Sequence, residues 1–176
     1  MEINRHHLKS PVEIVTTKLG IPLNYKQQCI DEIYKIGDKQ NNQTNVKAIM
    51  SSYWIWDDTD VLNPLMKEIL NTISKLFPIK DDTQQYKLID CWSTIYKKGH
   101  HTVPHNHKHY PISWVYYLKS NPNSSPLVFN ECNFHIPPED DLLVVFPNHL
   151  IHSVPTQTDN EDRIGLAGDV ILELKK

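Results

Sequence analysis

The sequence has few of the features that mark flexible, membrane-spanning or nucleic-acid-binding proteins. It holds only five glycines against twelve prolines, so we expect many conformationally fixed turns and few flexible linkers. No segment approaches the roughly 20 apolar residues that a membrane-spanning helix needs. A formal net charge of −3 at pH 7 gives no electrostatic attraction to nucleic acid or to an anionic membrane surface. The composition therefore predicts a globular protein without a membrane partner, and it disfavours nucleic acid as a partner.

Cysteine is also scarce. Cys29, Cys91 and Cys132 are far apart in the sequence and form no CxxC pair. Disulfide frameworks use paired cysteines in an oxidising compartment. The N-terminal residues also lack the apolar segment of a signal peptide. Together these observations predict reduced thiols and a cytoplasmic location.

A length of 176 residues fits one domain with a substantial core. We predict a single domain over residues 1–176, with helical support over roughly residues 1–80 and a β-rich core over roughly residues 81–176. One predicted helix begins near Asn24, which can serve as its N-cap, and ends at Gly37. The other spans residues 63–77, with Asn63 as the N-cap and Pro64 in the first helical position.

The other apolar segments are rich in β-branched and aromatic residues and are separated by Pro, Asn, Asp and Gly, which predicts strands. The predicted strands cover residues 12–17, 47–55, 88–96, 112–118, 127–129, 142–146 and 164–174. No helix is predicted after Pro78. This order predicts an α+β, mainly β fold, in which two N-terminal helices buttress a β-sandwich or barrel.

Histidine, by contrast, is abundant, with ten residues. His105 and His107 are two positions apart, so on an extended strand their side chains point to the same face. Both can then reach one metal ion, and His152 is the candidate for a third ligand. Three imidazoles suit Fe, Zn, Cu or Ni and leave coordination positions for small ligands. Arg163, at the start of the last predicted strand, offers a guanidinium that can bind a carboxylate through two hydrogen bonds.

Neighbouring polar residues are interpreted as structural. His100, His101 and His109 flank the histidine pair and are expected on the surface near a turn. Asp169 is expected on the same side of the last strand as Arg163, either in a structural ion pair or in contact with substrate.

The order of these elements resembles that of the Fe(II)- and 2-oxoglutarate-dependent oxygenases. Within that superfamily the chain is most similar to a group of small oxygenases typical of bacteria and phages, and the resemblance covers roughly residue 88 to the C-terminus. The elements that carry it are Trp92, Gly99, the HNH segment at 105–107, Ser113, the VYYL segment at 115–118, Phe146-Pro147, His152 and Arg163. The resemblance implies a double-stranded β-helix, the jelly roll that cupins share, with the two helices as support.

The resemblance also implies roles for individual residues. His105, His107 and His152 would hold Fe(II), and Arg163 would pair with the distal carboxylate of 2-oxoglutarate. Tyr117 or Tyr116 would add a hydrogen bond to that co-substrate; the strand register decides which, because a shift of one residue exchanges the two faces. With O2 as the oxidant, the implied reaction hydroxylates a small molecule or a protein side chain and releases succinate and CO2.

Three positions depart from the pattern of the superfamily. His107 stands where most members have a carboxylate, which removes about one negative charge from the ligand set. Gly165 stands where a serine often follows the arginine by two residues. Trp114 replaces a common glycine after the serine of the tyrosine strand.

Two other functions stay open at the level of sequence. A cupin-like dioxygenase with three histidine ligands would not use 2-oxoglutarate, and its Arg163 would bind a substrate carboxylate directly. A jelly-roll binding module would have a structural metal or none, although structural sites usually have four protein ligands. Exposed strand edges would also permit a homodimer.

Overall fold

A computed structural model of the protein describes residues 3–7, 12–107 and 110–175, and these residues form mostly β-strands. Their elements, in chain order, are β1 (Ile3–His7), β2 (Glu13–Lys18), α1 (Leu23–Ile36), β3 (Val46–Lys47), β4 (Ile49–Met50), a 3-10 helix (Ile55–Asp57), α2 (Asn63–Leu76), β5 (Gln84–Tyr96), β6 (His101–His105), β7 (Ile112–Lys119), β8 (Leu127–Phe129), β9 (Phe134–Ile136), β10 (Leu142–Pro147), β11 (His152–Val154) and β12 (Arg163–Leu174). Neither α-helix is long and apolar enough to span a bilayer, and this holds for every helix in the described part of the chain.

The strands form two antiparallel sheets. The larger has the order β1-β2-β10-β7-β12-β5-β4, and the smaller has the order β3-β6-β11-β8-β9. From β5 onwards the chain passes repeatedly from one sheet to the other, so that strands distant in sequence become neighbours. This winding is consistent with a jelly roll, and the predicted mainly β fold with two helices is confirmed at that level.

Apolar residues cover both faces of the larger sheet. On one face they pack with residues of α1 and α2, and this core includes Trp114 and Tyr116. On the other face they pack against the smaller sheet, and that core includes Tyr117 and Phe146. Neighbouring residues of β7 therefore belong to different cores, as the two-residue period of a strand requires. The inner face is the one that reaches the predicted histidine site.

The helices lie close to their predicted positions, but their predicted N-caps are wrong. Helix α1 begins one residue before Asn24, because the carbonyl of Pro22 already accepts the first helical hydrogen bond, from the amide of Lys26. Its end agrees with the prediction, since Gly37 adopts a positive φ of 65°. Asn63 is the first residue of α2, and its side-chain amide donates to Asp60 Oδ1 instead of capping the helix.

The single strand predicted over residues 47–55 is also wrong. In the structure this segment contributes β3 to the smaller sheet and β4 to the larger one, and it ends in the 3-10 helix. The chain changes sheets at the buried Ala48, so its apolar residues face two different partners. The sequence predicts no strand at β1, β6, β9 or β11, which are all short; β6 and β11 also depend on pairing with strands far away in sequence.

Candidate metal centre

Three histidines meet where the smaller sheet faces the larger one. His105 ends β6 and His152 begins β11, and these residues are direct partners across the two antiparallel strands. His107 lies just beyond β6, where its amide donates to the carbonyl of Asn148 and its carbonyl accepts from the Asn148 side chain. One ring nitrogen from each of the three histidines lies within 4.8 Å of the others. The structure therefore brings together the three histidines that the sequence singled out.

Hydrogen bonds fix the orientation of all three rings. His105 Nδ1 lies 2.9 Å from the carbonyl of Val103, and His152 Nδ1 lies 3.0 Å from the carbonyl of Leu150. Both carbonyls can only accept, so in each neutral ring Nδ1 carries the proton and Nε2 carries the free lone pair.

The third ring has a charged partner. His107 Nδ1 lies 2.6 Å from Asp169 Oδ2, which again leaves Nε2 as the free nitrogen. His107 Nε2 and His105 Nε2 then lie 3.2 Å apart. Two lone pairs at this distance need a cation between or beside them, and the arrangement suits a divalent metal.

Burial keeps the site in the form that binds metal. Burial, and to a lesser extent the neighbouring His105, lower the pKa of His152 to about 3. Burial is also the main cause of the lowered pKa of His105. Both rings are therefore neutral near pH 7, and a neutral imidazole is the species that coordinates a metal.

Asp169 belongs to a buried polar network behind His107. The hydroxyl of Ser113 donates to Asp169 Oδ1 at 2.5 Å, and the amide of Asp169 donates to Asp90 Oδ1 at 2.9 Å. Burial and the nearby Asp169 raise the pKa of Asp90 to about 7. Of the two roles considered for Asp169 from the sequence, the structure shows a structural one, a hydrogen bond to the ring of His107. No pattern in the sequence indicates a role for Asp90.

Arg163 lies on the inner face of β12 with only 4% of its surface exposed. Its guanidinium carbon lies over the rings of Tyr96 and Tyr117, 4.6 and 4.9 Å from their centroids. One Nη donates to the hydroxyl of Tyr117 at 3.3 Å, whereas the buried Nε has no hydrogen-bond partner. No carboxylate forms an ion pair with Arg163 among the residues that the structure describes. A buried guanidinium without an anion is costly, so this side chain suits the carboxylate of a ligand.

The register of β7 decides between the two candidate tyrosines. Tyr117 faces inward and contacts Arg163, as described above. Tyr116 faces the helices, and its hydroxyl donates to Asp141 Oδ1 at 2.7 Å. Tyr116 is therefore wrong as a candidate for contact with a co-substrate, because it lies on the opposite face of the sheet.

Two cavities adjoin the histidines. A narrow inner cavity of about 50 Å³ is lined by all three histidines together with Arg163 and Tyr117. An outer, open cavity of about 340 Å³ is lined by two of the histidines and by Thr44, Asn45, Val46, Met50, Tyr53, Asp90, Trp92, Asn106, Tyr110 and Asp169. The two cavities meet at His105 and His107, so a ligand in either one would approach the same metal.

The indole of Trp92 forms a wall beside the metal site. It stacks on the ring of His107, with centroids 5.8 Å apart and an interplanar angle of 25°. The ring of Tyr53 packs edge-on against the same indole, with centroids 5.4 Å apart. The sequence marked Trp92 only as part of a family resemblance and did not indicate its contact with His107.

Structural reasons also account for two of the departures from the superfamily pattern. A Cβ at Gly165 would lie 2.6 Å from the backbone oxygen of Tyr116, so β12 and β7 approach too closely for a serine there. Trp114 packs in the core on the helix side, opposite Gly168. Of the flanking histidines, His100 and His101 are half-buried and lie outside the cluster, whereas His109 lies outside the described residues.

Comparison with known proteins supports the fold. No protein-family profile matches the sequence, and no characterised protein matches it by sequence. Solved structures do match. A 2OG-Fe(II) oxygenase family oxidoreductase from Burkholderia pseudomallei has a TM-score of 0.70 at 13% identity, over 90% of this chain and 84% of that one. A Pseudomonas putida prolyl-4-hydroxylase has a TM-score of 0.61 at 15% identity, over 93% of each chain.

HygX from Streptomyces hygroscopicus, solved with nickel and 2-oxoglutarate bound, matches with a TM-score of 0.68 at 9% identity, over 89% of this chain and 82% of that one. This chain has the fold of the 2-oxoglutarate- and Fe(II)-dependent oxygenases. Its cluster of His105, His107 and His152 fits an HxH…H pattern.

Proposed function

We propose that this protein is an Fe(II)- and 2-oxoglutarate-dependent dioxygenase that hydroxylates an organic substrate. The observation that carries the proposal is the buried guanidinium of Arg163, which has no carboxylate partner among the described residues and lines the same inner cavity as three convergent imidazoles. A dicarboxylate that chelates a metal at one end and presents a carboxylate at the other satisfies both groups. A structural metal site would give no reason for the arginine.

The chain supplies binding, orientation and exclusion of water. The Nε2 atoms of His105, His107 and His152 would hold Fe(II), and the Nδ1 hydrogen bonds keep them oriented before the metal arrives. Together with 2-oxoglutarate and O2, the metal would supply the oxidising chemistry that hydroxylates an unactivated C–H bond and yields succinate and CO2. Arg163 would bind the distal carboxylate of 2-oxoglutarate through Nε and Nη, while the hydroxyl of Tyr117 adds a further hydrogen bond.

Apolar side chains around the inner cavity would exclude water from the co-substrate. Leu127, Phe146 and Val154 line this cavity and are buried. A low local dielectric strengthens the pairing between a guanidinium and a carboxylate. The aromatic rings of Tyr96 and Tyr117 hold the guanidinium in place, so little conformational freedom is lost when the ligand binds.

The substrate would enter through the outer cavity, which opens to solvent on the other side of His105 and His107. Its volume of about 340 Å³ lies at the lower end of the range for small-molecule sites. It therefore suits a small metabolite or a single protein side chain. The walls of Trp92 and Tyr53 would position an apolar part of such a substrate beside the metal.

The ligand set itself favours a second candidate, a cupin-like dioxygenase with three histidine ligands. In that case Arg163 would bind a carboxylate of the substrate, and 2-oxoglutarate would not be consumed. The two candidates therefore differ in a single measurable product, succinate.

Anaerobic titration tests the proposal. Addition of 2-oxoglutarate to the Fe(II)-loaded protein should produce the weak visible charge-transfer band of a chelated keto acid, and admission of O2 should then release succinate. Succinate, which lacks the keto group, serves as the control ligand and should give no band. Absence of both the band and succinate release would refute the proposal, whereas O2 uptake with a carboxylate substrate but without 2-oxoglutarate would favour the second candidate.

A further inference from the structure

The three histidines leave the metal site without a charged ligand. A neutral imidazole brings no negative charge. A carboxylate ligand brings one negative charge and therefore attracts a divalent cation more strongly. We propose that Asp169 supplies this missing charge through His107 and so sets the metal affinity of the site. Asp169 is then a positioning residue, since it acts through His107 and does not contact the metal. This inference rests on the proposed metal-dependent function.

The contacts of Asp169 direct its charge to His107. Oδ2 accepts from His107 Nδ1 at 2.6 Å, and Oδ1 accepts from the hydroxyl of Ser113 at 2.5 Å. The side chain is almost completely buried, with 2% of its surface exposed. Among the described residues no lysine or arginine forms an ion pair with it, and His107 is its basic partner. The negative charge of Asp169 therefore acts on the imidazole of His107.

The hydrogen-bond acceptor of His107 differs from those of the other two histidines. His105 and His152 are oriented by backbone carbonyls, which fix the tautomer without adding charge. His107 alone has a carboxylate as the acceptor. It is also the histidine at the position where the superfamily has an acidic ligand. A carboxylate that accepts from Nδ1 raises the basicity of Nε2. The negative charge is then carried by the hydrogen-bond partner of a metal ligand instead of by the ligand itself.

Binding of Co(II), which is spectroscopically visible and does not require turnover, tests the inference. Asp169→Asn keeps an acceptor oxygen for His107 and a polar contact for Ser113 but removes the charge. We expect it to weaken Co(II) binding by ~10–100-fold, the range found when such second-layer partners are lost. Ser113→Ala is the matched control, because it removes a neighbouring hydrogen bond and leaves the charge in place. It should weaken binding much less.

A second variant distinguishes the charge from the local structure. His107→Asp combined with Asp169→Asn moves the carboxylate into the ligand position and should bind Co(II) more tightly than Asp169→Asn alone. A purely structural role for Asp169 predicts the opposite, since the double variant loses the hydrogen bond as well. Unfolding of each metal-free variant, followed by circular dichroism, shows whether it is folded under the conditions of the titration.

The outcomes separate this inference from the proposed function. If the unmodified protein binds Co(II) and Asp169→Asn binds it equally well, or if the double variant binds less tightly than Asp169→Asn, the inference is wrong while the metal centre stands. Should Asp169→Asn alone not fold, the double variant is compared with the unmodified protein: because its carboxylate stands in the ligand position, it should bind Co(II) at least as tightly, and clearly weaker binding would overturn the inference. If the unmodified protein binds no divalent metal, the proposed function itself fails.

Discussion

His105 and His152 are direct partners on neighbouring antiparallel strands, and their imidazole centroids lie 4.4 Å apart. The first belongs to the histidine-rich segment, and the second follows a Phe-Pro pair much later in the chain. Pairing of β6 with β11 is what converts an HxH motif into a site with three nitrogens. The metal centre therefore depends on the register of the smaller sheet.

His152→Ala should lose stoichiometric Ni(II) binding, because two remaining imidazoles make a weaker and more exposed site. Ni(II) at about 100 times its Kd should stabilise the unmodified protein by ~2.7 kcal/mol and raise its melting temperature, an effect absent in the variant. His149→Ala is the matched control, since His149 is nearby in sequence but exposed and outside the cluster. Retention of the Ni(II)-dependent shift in His152→Ala would show that His152 is not a ligand.

Arg163→Ala should raise the Kd for 2-oxoglutarate by roughly 100-fold or more, because two charge-assisted hydrogen bonds are lost. Tyr117→Phe should have a smaller effect, since only one neutral hydroxyl is removed. The charge-transfer band of the anaerobic Fe(II) complex provides the titration signal.

Tyr116→Phe is the control for this pair. It removes the hydrogen bond to Asp141 on the other face of the sheet, which should cost about 1 kcal/mol of stability and leave the Kd unchanged. If Tyr116→Phe weakened 2-oxoglutarate binding more than Tyr117→Phe, the assignment of the inward face would be wrong.

Gly165→Ser should destabilise the protein, although many members of the superfamily have serine at this position. The added Cβ would lie 2.6 Å from the backbone oxygen of Tyr116, so two paired strands must separate, at a cost of about 1–3 kcal/mol. Urea unfolding measures the loss. Ala167→Ser, on the same face of β12, adds only a hydroxyl and should change stability less. Equal stability of the two variants would contradict the close approach of β12 and β7.

Asp90→Asn should reduce the dependence of stability on pH. Because the pKa of Asp90 is raised to about 7, the folded protein binds more protons than the unfolded chain between about pH 4 and pH 7. The stability that this proton contributes is complete below about pH 4 and is lost as the pH rises through 7. Asparagine imitates the neutral acid and keeps the acceptor for the amide of Asp169.

Urea unfolding of the metal-free protein at pH 5 and pH 8 measures this effect. The free energy of unfolding should fall with rising pH more steeply in the unmodified protein than in Asp90→Asn, by on the order of 2 kcal/mol. The buried histidines have lowered pKa values and act in the opposite direction, but their contribution is common to both proteins. Identical slopes would mean that Asp90 titrates normally.

Much of the site was readable from the sequence because its signals are local. The two-residue spacing of His105 and His107 sets them on one side of an extended segment, and Gly37 and Pro64 mark helix ends through their own backbone preferences. The position of Arg163 at the start of the last strand also follows from a local β-rich pattern. These features need no knowledge of what packs against them.

The remaining features depend on contacts between residues distant in sequence. The choice of Tyr117 over Tyr116 required the register of β7, and the bond between His107 and Asp169 joins residues 62 positions apart. The division of residues 47–55 between two sheets has the same origin. Local propensity determines which secondary structure a segment tends to form. The pairing of strands determines which faces pack together and which charged groups come into contact.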